Sequence, residues 1–120
     1  MATIFITDDS DFTGDLLTDL LEEVGYQVFY AVSGEELLER FDEVRPDVVL
    51  LDIIMPGIGG MEVLERIRTT YPDTKVIICS ALVCQPSIEE EAMGKGAYAC
   101  VKKPINTSEL REVIAESLKG

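Results

Sequence analysis

Histidine is absent from the 120 residues, which removes Ser-His and Cys-His nucleophile pairs together with the usual neutral general base. Most hydrolase chemistry is excluded with it. Cysteine is scarce: Cys79, Cys84 and Cys100 form an odd set without Cys-x-x-Cys spacing, so structural zinc has no support. Basic residues number 10 against 23 acidic ones, a formal net charge of −13. A surface that acidic repels phosphate backbones, and no direct nucleic-acid binding is expected. No apolar run approaches the ~20 residues of a membrane span, so membrane insertion is not expected either. Met1-Ala2-Thr3-Ile4 lacks the basic region and long apolar run of a secretory signal, and a cytoplasmic location follows as the expectation. Low-complexity linkers, proline-rich stretches and internal repeats are also missing, and the length suits one compact domain, residues 1–120, not a multidomain enzyme.

What is present is a regular alternation. Short β-branched runs at residues 3–7, 27–31, 48–51, 75–79 and 97–101 read as strands, separated by stretches of helical periodicity. The third and fourth runs are continuously apolar, as strands buried on both faces are. The first helix carries Phe12, Leu16, Leu17, Leu20, Leu21 and Val24 as one apolar stripe and closes at Gly25. Ser33 and Glu36 form a capping-box pair opening the second, with Leu37, Leu38, Phe41 and Val44 inward, and Pro46 bars its continuation. Met61, Leu64 and Ile67 mark the third helix, residues 87–93 the short fourth, and Leu110, Val113, Ile114 and Leu118 the fifth. Strict alternation with right-handed crossovers predicts an α/β fold: a doubly wound five-stranded parallel sheet, order 2-1-3-4-5, with five helices on two faces. In that order a crevice opens at the carboxyl ends of strands one and three.

Polar groups gather at that edge. Strand one ends in Asp8-Asp9 and strand three in Asp52, so three carboxylates from separate parts of the chain meet, and either protons or a cation must offset their repulsion. Hard oxygen ligands with room for water suit Mg²⁺ better than a softer metal. Asp8-Asp9 has a plainer reading as an N-cap and first-turn acid, with Asp9 or Ser10 capping helix one, but that reading leaves Asp52 unexplained. Acidity is concentrated in the same half: residues 1–60 hold fourteen acids and two bases, residues 61–120 nine and eight. Strand four ends in Ser80, whose hydroxyl can donate to an anion, and Lys103 follows strand five as a mobile cation. A metal cradle, an attacking carboxylate, a hydroxyl and a lysine are the parts of phosphoryl transfer, with an aspartyl phosphate as the implied product.

Four blocks, Ile4-Phe5-Ile6-Thr7-Asp8-Asp9-Ser10, Asp47 through Gly57, Ile78-Cys79-Ser80-Ala81 and Lys103-Pro104, together resemble the response-regulator receiver domain of two-component signalling, over essentially the whole chain. Residues 79–81 through 96–97 are similar to stand-alone chemotaxis-type receivers. The resemblance implies a flavodoxin-like fold and a phosphorylation-controlled signalling module. In it Asp52 accepts a phosphoryl group from a histidine kinase or phosphotransfer protein, Asp9 is a direct Mg²⁺ ligand, Asp8 a ligand through water and Ile54 a ligand through its carbonyl. Ser80 and Lys103 would hold the phosphoryl oxygens, and Lys103-Pro104 would be a cis peptide. The implied activity is self-modification without turnover of an external substrate. The output is a changed surface on helix four, strand five and helix five that binds a downstream protein target.

Cys100 departs from the family's pattern, standing where an inward-turning aromatic residue is common; Tyr98, two residues earlier, is the candidate to replace it. Ile54 and Leu82 are apolar where some members carry water-orienting amides or acids, which implies a long-lived phosphoryl group. Both a freestanding protein and the amino-terminal piece of a longer regulator fit this reading. One alternative is a small Mg²⁺ phosphatase of the haloacid dehalogenase type, which needs an acid two residues after its nucleophile, where this chain has Ile54. A second, a flavodoxin-like FMN carrier, needs a Ser/Thr/Gly-rich phosphate loop where Asp8-Asp9-Ser10-Asp11 stands.

Overall fold

Runs of β-branched and apolar residues become the strands, and helices cover them from both sides. The computed structural model describes residues 2–55, 57–81 and 85–119. In chain order the elements are β1 Thr3–Thr7, α1 Asp11–Glu23, β2 Gln27–Ala31, α2 Gly34–Val44, β3 Val48–Leu51, α3 Gly60–Thr70, β4 Lys75–Ser80, α4 Pro86–Gly94, β5 Ala99–Lys102 and α5 Thr107–Lys119. All four strand pairings are parallel and the order is β2-β1-β3-β4-β5, as the alternation predicts. Three strand bounds differ from expectation, β5 ending one residue later, at Lys102. β4 runs on to Ser80, and β5 begins at Ala99 because Ala97 N is still bonded to Ala92 O of α4, at 3.1 Å.

The two-residue period of the strands divides the interior into two cores. Phe5, Val49, Leu51, Val76 and Ile78 face α2, α3 and α4 through Leu37, Phe41, Val63, Leu64, Ile67 and Ala92. Ile4, Ile6, Val48, Leu50, Ile77 and Cys79 face α1 and α5 through Leu17, Leu21, Leu110 and Ile114. Burying an aliphatic or aromatic side chain of this size contributes roughly 1.5–3 kcal/mol, so these central strands anchor the sheet edge where the polar residues lie.

Three sequence expectations need correction. Along α1, Leu17 and Leu21 are buried, but Phe12 and Leu16 are 78% and 53% exposed and Val24 is exposed too. The helix packs on the sheet along a narrower line than its apolar stripe, centred on Gly14, Leu17 and Leu21. On α5 the third buried position is Ser117, whose hydroxyl donates to Ile114 O at 2.7 Å, while Leu118 faces solvent. The capping box of α2 is half formed: Ser33 Oγ accepts from Glu36 N at 3.1 Å, but the Glu36 carboxylate turns to Arg40 at 2.8 Å.

Candidate functional site

β1 and β3 lie side by side with Thr7 opposite Leu51, so the residues that follow, Asp8 and Asp52, leave the sheet together. Asp8 N donates to Ala31 O at 3.2 Å and Asp52 N to Thr7 O at 3.0 Å, which fixes both backbones. Their residues are 3% and 8% exposed, whereas Asp9 is open to solvent. One carboxylate oxygen from each of Asp8, Asp9 and Asp52 falls in a group whose members are all within 4.8 Å of one another. Local amides orient two of these carboxylates: Ser10 N donates to Asp8 Oδ1 at 2.9 Å and Ile54 N to Asp52 Oδ1 at 3.3 Å. Ser10 then caps α1, its hydroxyl accepting from Thr13 N at 3.3 Å.

Lys103 closes the cluster from the other side. β5 ends at Lys102, opposite Ser80, and Lys103 N donates to Ser80 O at 3.2 Å. The Lys103-Pro104 peptide is cis. Lys103 Nζ donates to Asp8 Oδ2 at 2.7 Å and to Asp52 Oδ2 at 3.0 Å. Burial alone would lower the lysine's pKa, but the hydrogen bonds to Asp8 and Asp52 and their charges outweigh it, and the net shift is upward. Lys102 is exposed and makes no part of the cluster, while Ser80 is buried at 2% exposure.

One ammonium facing three carboxylates leaves a formal excess of two negative charges. The donors are all hard oxygens, and opposite oxygens around a six-coordinate Mg²⁺ are about 4.2 Å apart, close to the spread found here. The residue set therefore fits Mg²⁺ in charge, donor chemistry and dimension.

Sequence reasoning found Asp8, Asp9, Asp52 and Lys103, and the fold gathers all four; Ser80 ends the neighbouring strand and Ile54 lies two residues after Asp52. Pro56, Leu82 and Cys84 lie outside the described residues. Tyr98 does not join the site: Lys75 Nζ lies 5.8 Å from its ring centroid, and Lys75 opens β4 while Ser80 ends it. Cys100 packs, half-buried, against the α2–α4 core. Two supports were missed. Tyr30 donates from its hydroxyl to Asp8 O at 2.8 Å and to Asp11 Oδ1 at 3.3 Å, and burial, followed by the Asp11 charge, pushes its pKa up to about 12. Gly60 lies so close to the Asp52 carbonyl that a Cβ would collide with it. Neither pairing has a local sequence signal, because each depends on which strand or loop lies alongside.

The family model for the response regulator receiver domain matches residues 4–115. The chain belongs to the response-regulator receiver family. It is 34% identical to the chemotaxis protein CheY of Thermotoga maritima over 112 residues, covering 92% of each chain. Identity to the sporulation initiation phosphotransferase F of Bacillus subtilis is 33% over 115 residues, 96% of this chain and 92% of the other. Among solved structures, a CheY-like receiver domain protein from Methanospirillum hungatei superposes with a TM-score of 0.93 at 29% identity, covering 99% and 94% of the two chains. This receiver is thus a signalling phosphoacceptor module, and the comparisons lend nothing to the phosphatase alternative. Receiver domains bind Mg²⁺ at an acidic pocket, and this receiver brings Asp8, Asp9 and Asp52 together in one carboxylate group. Membership implies a phosphodonor, either a histidine kinase or a phosphotransfer protein, and a downstream target. No helix among the described residues is long and apolar enough to cross a membrane.

Proposed function

We propose that residues 1–120 act as a single receiver domain in the cytoplasm, and that Asp52 is its phosphoacceptor. The observation that carries this is the ammonium of Lys103 shared between Asp8 and Asp52, with Asp9 beside them. Asp52 follows the fully buried β3, and Ile54 N donates to its Oδ1 and orients the carboxylate.

Asp9 would hold Mg²⁺ directly, Asp8 through water, Asp52 by a carboxylate oxygen and Ile54 by its carbonyl. When bound, the cation supplies positive charge that offsets the phosphoryl oxygens and the attacking carboxylate. An Asp52 oxygen attacks the phosphorus of a phosphohistidine in line; an O–P bond forms as the N–P bond breaks. The bonding pair returns to the imidazole, which takes a proton from water. Lys103 then trades Asp52 for the new phosphoryl oxygens, and the Ser80 hydroxyl donates to another of them. The domain assists its own phosphorylation and later hydrolysis and turns over no external substrate.

The donor has a place to rest. Phe12, Thr13, Leu16, Leu17, Pro104 and Ile105 line a groove of about 250 Å³ that runs up to Lys103, so a protein seated there brings its phosphohistidine to the crevice. Ser80 and Lys103 lead into α4, β5 and α5, the surface proposed to change toward the target. α4 buries only Ala92 among its described residues and is tied at its end by Lys95 to Glu65, which leaves it little local stability.

Mass spectrometry after acetyl phosphate and Mg²⁺ treatment tests the assignment. One phosphate is expected on the parent and none on Asp52→Asn, with Mg²⁺ affinity at least about tenfold weaker in Asp9→Ala. Persistent single-site labelling of Asp52→Asn would overturn it.

A further inference from the structure

The stretch between β3 and α3 carries Ile54, and it is tied down at two ends. Near the site, Ile54 N donates to Asp52 Oδ1 and Gly60 N to Ile53 O, at 3.3 and 3.0 Å. At the far end the tie comes from a different element: Glu35, in the first turn of α2, accepts a hydrogen bond from Ile58 N on Oε2 at 2.9 Å.

The backbone is shaped around this contact. Gly57 has φ +79°, and a Cβ on it would collide with the Glu35 carboxylate, so the carboxylate occupies the space a side chain would need. The neighbouring Gly34 lets the start of α2 approach as closely, since a Cβ there would run into Ile58 and Val63. An ordinary first-turn acid gains from the helix dipole wherever its side chain points. Glu35 instead reaches out of its helix to a backbone amide four residues beyond Ile54.

We infer that Glu35 is a positioning residue for the Mg²⁺ site, acting through the backbone of residues 57–58 on the placement of the Ile54 carbonyl. The inference rests on the reading of Asp8, Asp9, Asp52 and Ile54 as the metal cradle. Loss of the contact frees the loop's far end, and the cradle must then restrict that motion when the cation binds, which lowers affinity without removing a ligand.

The test is a Mg²⁺ titration of the full chain followed by amide chemical shifts, with thermal unfolding in parallel. Glu35→Ala is expected to weaken Mg²⁺ binding about three- to tenfold and to speed hydrogen exchange at Ile58. Glu35→Gln keeps an acceptor oxygen and should restore most of the affinity. Glu39→Gln, which removes an exposed charge further along α2, should cost no more than Glu35→Gln. Unchanged affinity in Glu35→Ala overturns the inference, as does a loss in Glu35→Gln equal to that in Glu35→Ala, since charge alone would then be acting. Absence of Mg²⁺ binding in the parent protein would instead bring down the cradle reading itself, and the inference with it.

Discussion

The ammonium of Lys103 lies 3.0 Å from Asp52 Oδ2, although the two residues are 51 positions apart in sequence. The same nitrogen holds Asp8 at 2.7 Å, so it offsets charge where a divalent cation is also drawn. In the proposed site, lysine and Mg²⁺ would therefore compete for these oxygens.

Lys103→Ala follows directly. Without the cation the variant has unrelieved repulsion among the acids and should lose about 1–2 kcal/mol of stability, less than a fully buried pair because the lysine is partly solvated. Folding is retained. Mg²⁺ should bind more tightly than in the parent and raise the unfolding temperature further. Phosphorylation of Asp52 should persist while target binding no longer responds to it. Calorimetric Mg²⁺ titration and melting with and without the cation check this; weaker Mg²⁺ binding than in the parent would show that the lysine does not compete.

Phe12 and Leu16 give the second expectation. Both are exposed beside Lys103 and Pro104, so Phe12→Ser and Leu16→Ser should change stability by no more than about 0.5 kcal/mol. Transfer from a phosphohistidine protein should slow severalfold, while labelling by acetyl phosphate, which needs no docking, should be unaffected. Equal slowing with both donors would locate the effect in the site and not in the groove.

Legibility followed the range of the interactions. Strand order and the clustering of Asp8, Asp9, Asp52 and Lys103 could be read because alternation dictates topology, and topology decides which strand ends are neighbours. The burial of α1 was overread: periodicity reports which residues share a stripe, not how much of that stripe the sheet covers, and Phe12 is left exposed. Glu36 looked like the important acid of α2 because Ser33 stands three residues before it. Glu35 was invisible, since its partner Ile58 comes from another turn 23 residues away. Tyr98 was expected within the fifth strand on the face of Cys100, but β5 begins only at Ala99 and the Tyr98 ring lies beside Lys75.

Cysteine chemistry supplies the third expectation. Burial pushes the Cys79 thiol up to about 12, and burial followed by the Glu89 charge pushes Cys100 up to about 11. At pH 8 the thiolate fraction of Cys100 is then about one in a thousand, and thiolate is the reactive form. In a Cys84→Ser background, iodoacetamide should leave both cysteines unmodified in native buffer and modify both in denaturant. Cys100 packs on the side of the sheet covered by α4, so a phosphoryl mimic that shifts α4 should raise its labelling rate above that of Cys79. Identical rates with and without the mimic would place the output surface elsewhere.

The lifetime of the phosphoryl group gives the last expectation. Hydrolysis needs water in line with the Asp52–phosphorus bond, arriving from the mouth of the crevice, because Asp52 itself is nearly buried. Ile54 is 60% exposed and stands two residues after Asp52. An apolar side chain there cannot orient an attacking water, and it covers part of the approach. An amide at the same position offers both a donor and an acceptor to that water. Ile54→Asn should therefore shorten the phosphoryl lifetime by about tenfold, within the usual range for positioning a proton-handling group, and because the side chain is mostly exposed the substitution should scarcely alter stability. The loop amide that orients Asp52 is backbone and survives the change, so the rate of phosphorylation by acetyl phosphate should stay near that of the parent. Phosphate release measured after removal of the donor separates the two rates. Decay no faster than in the parent would mean that water reaches phosphorus by a path Ile54 does not guard.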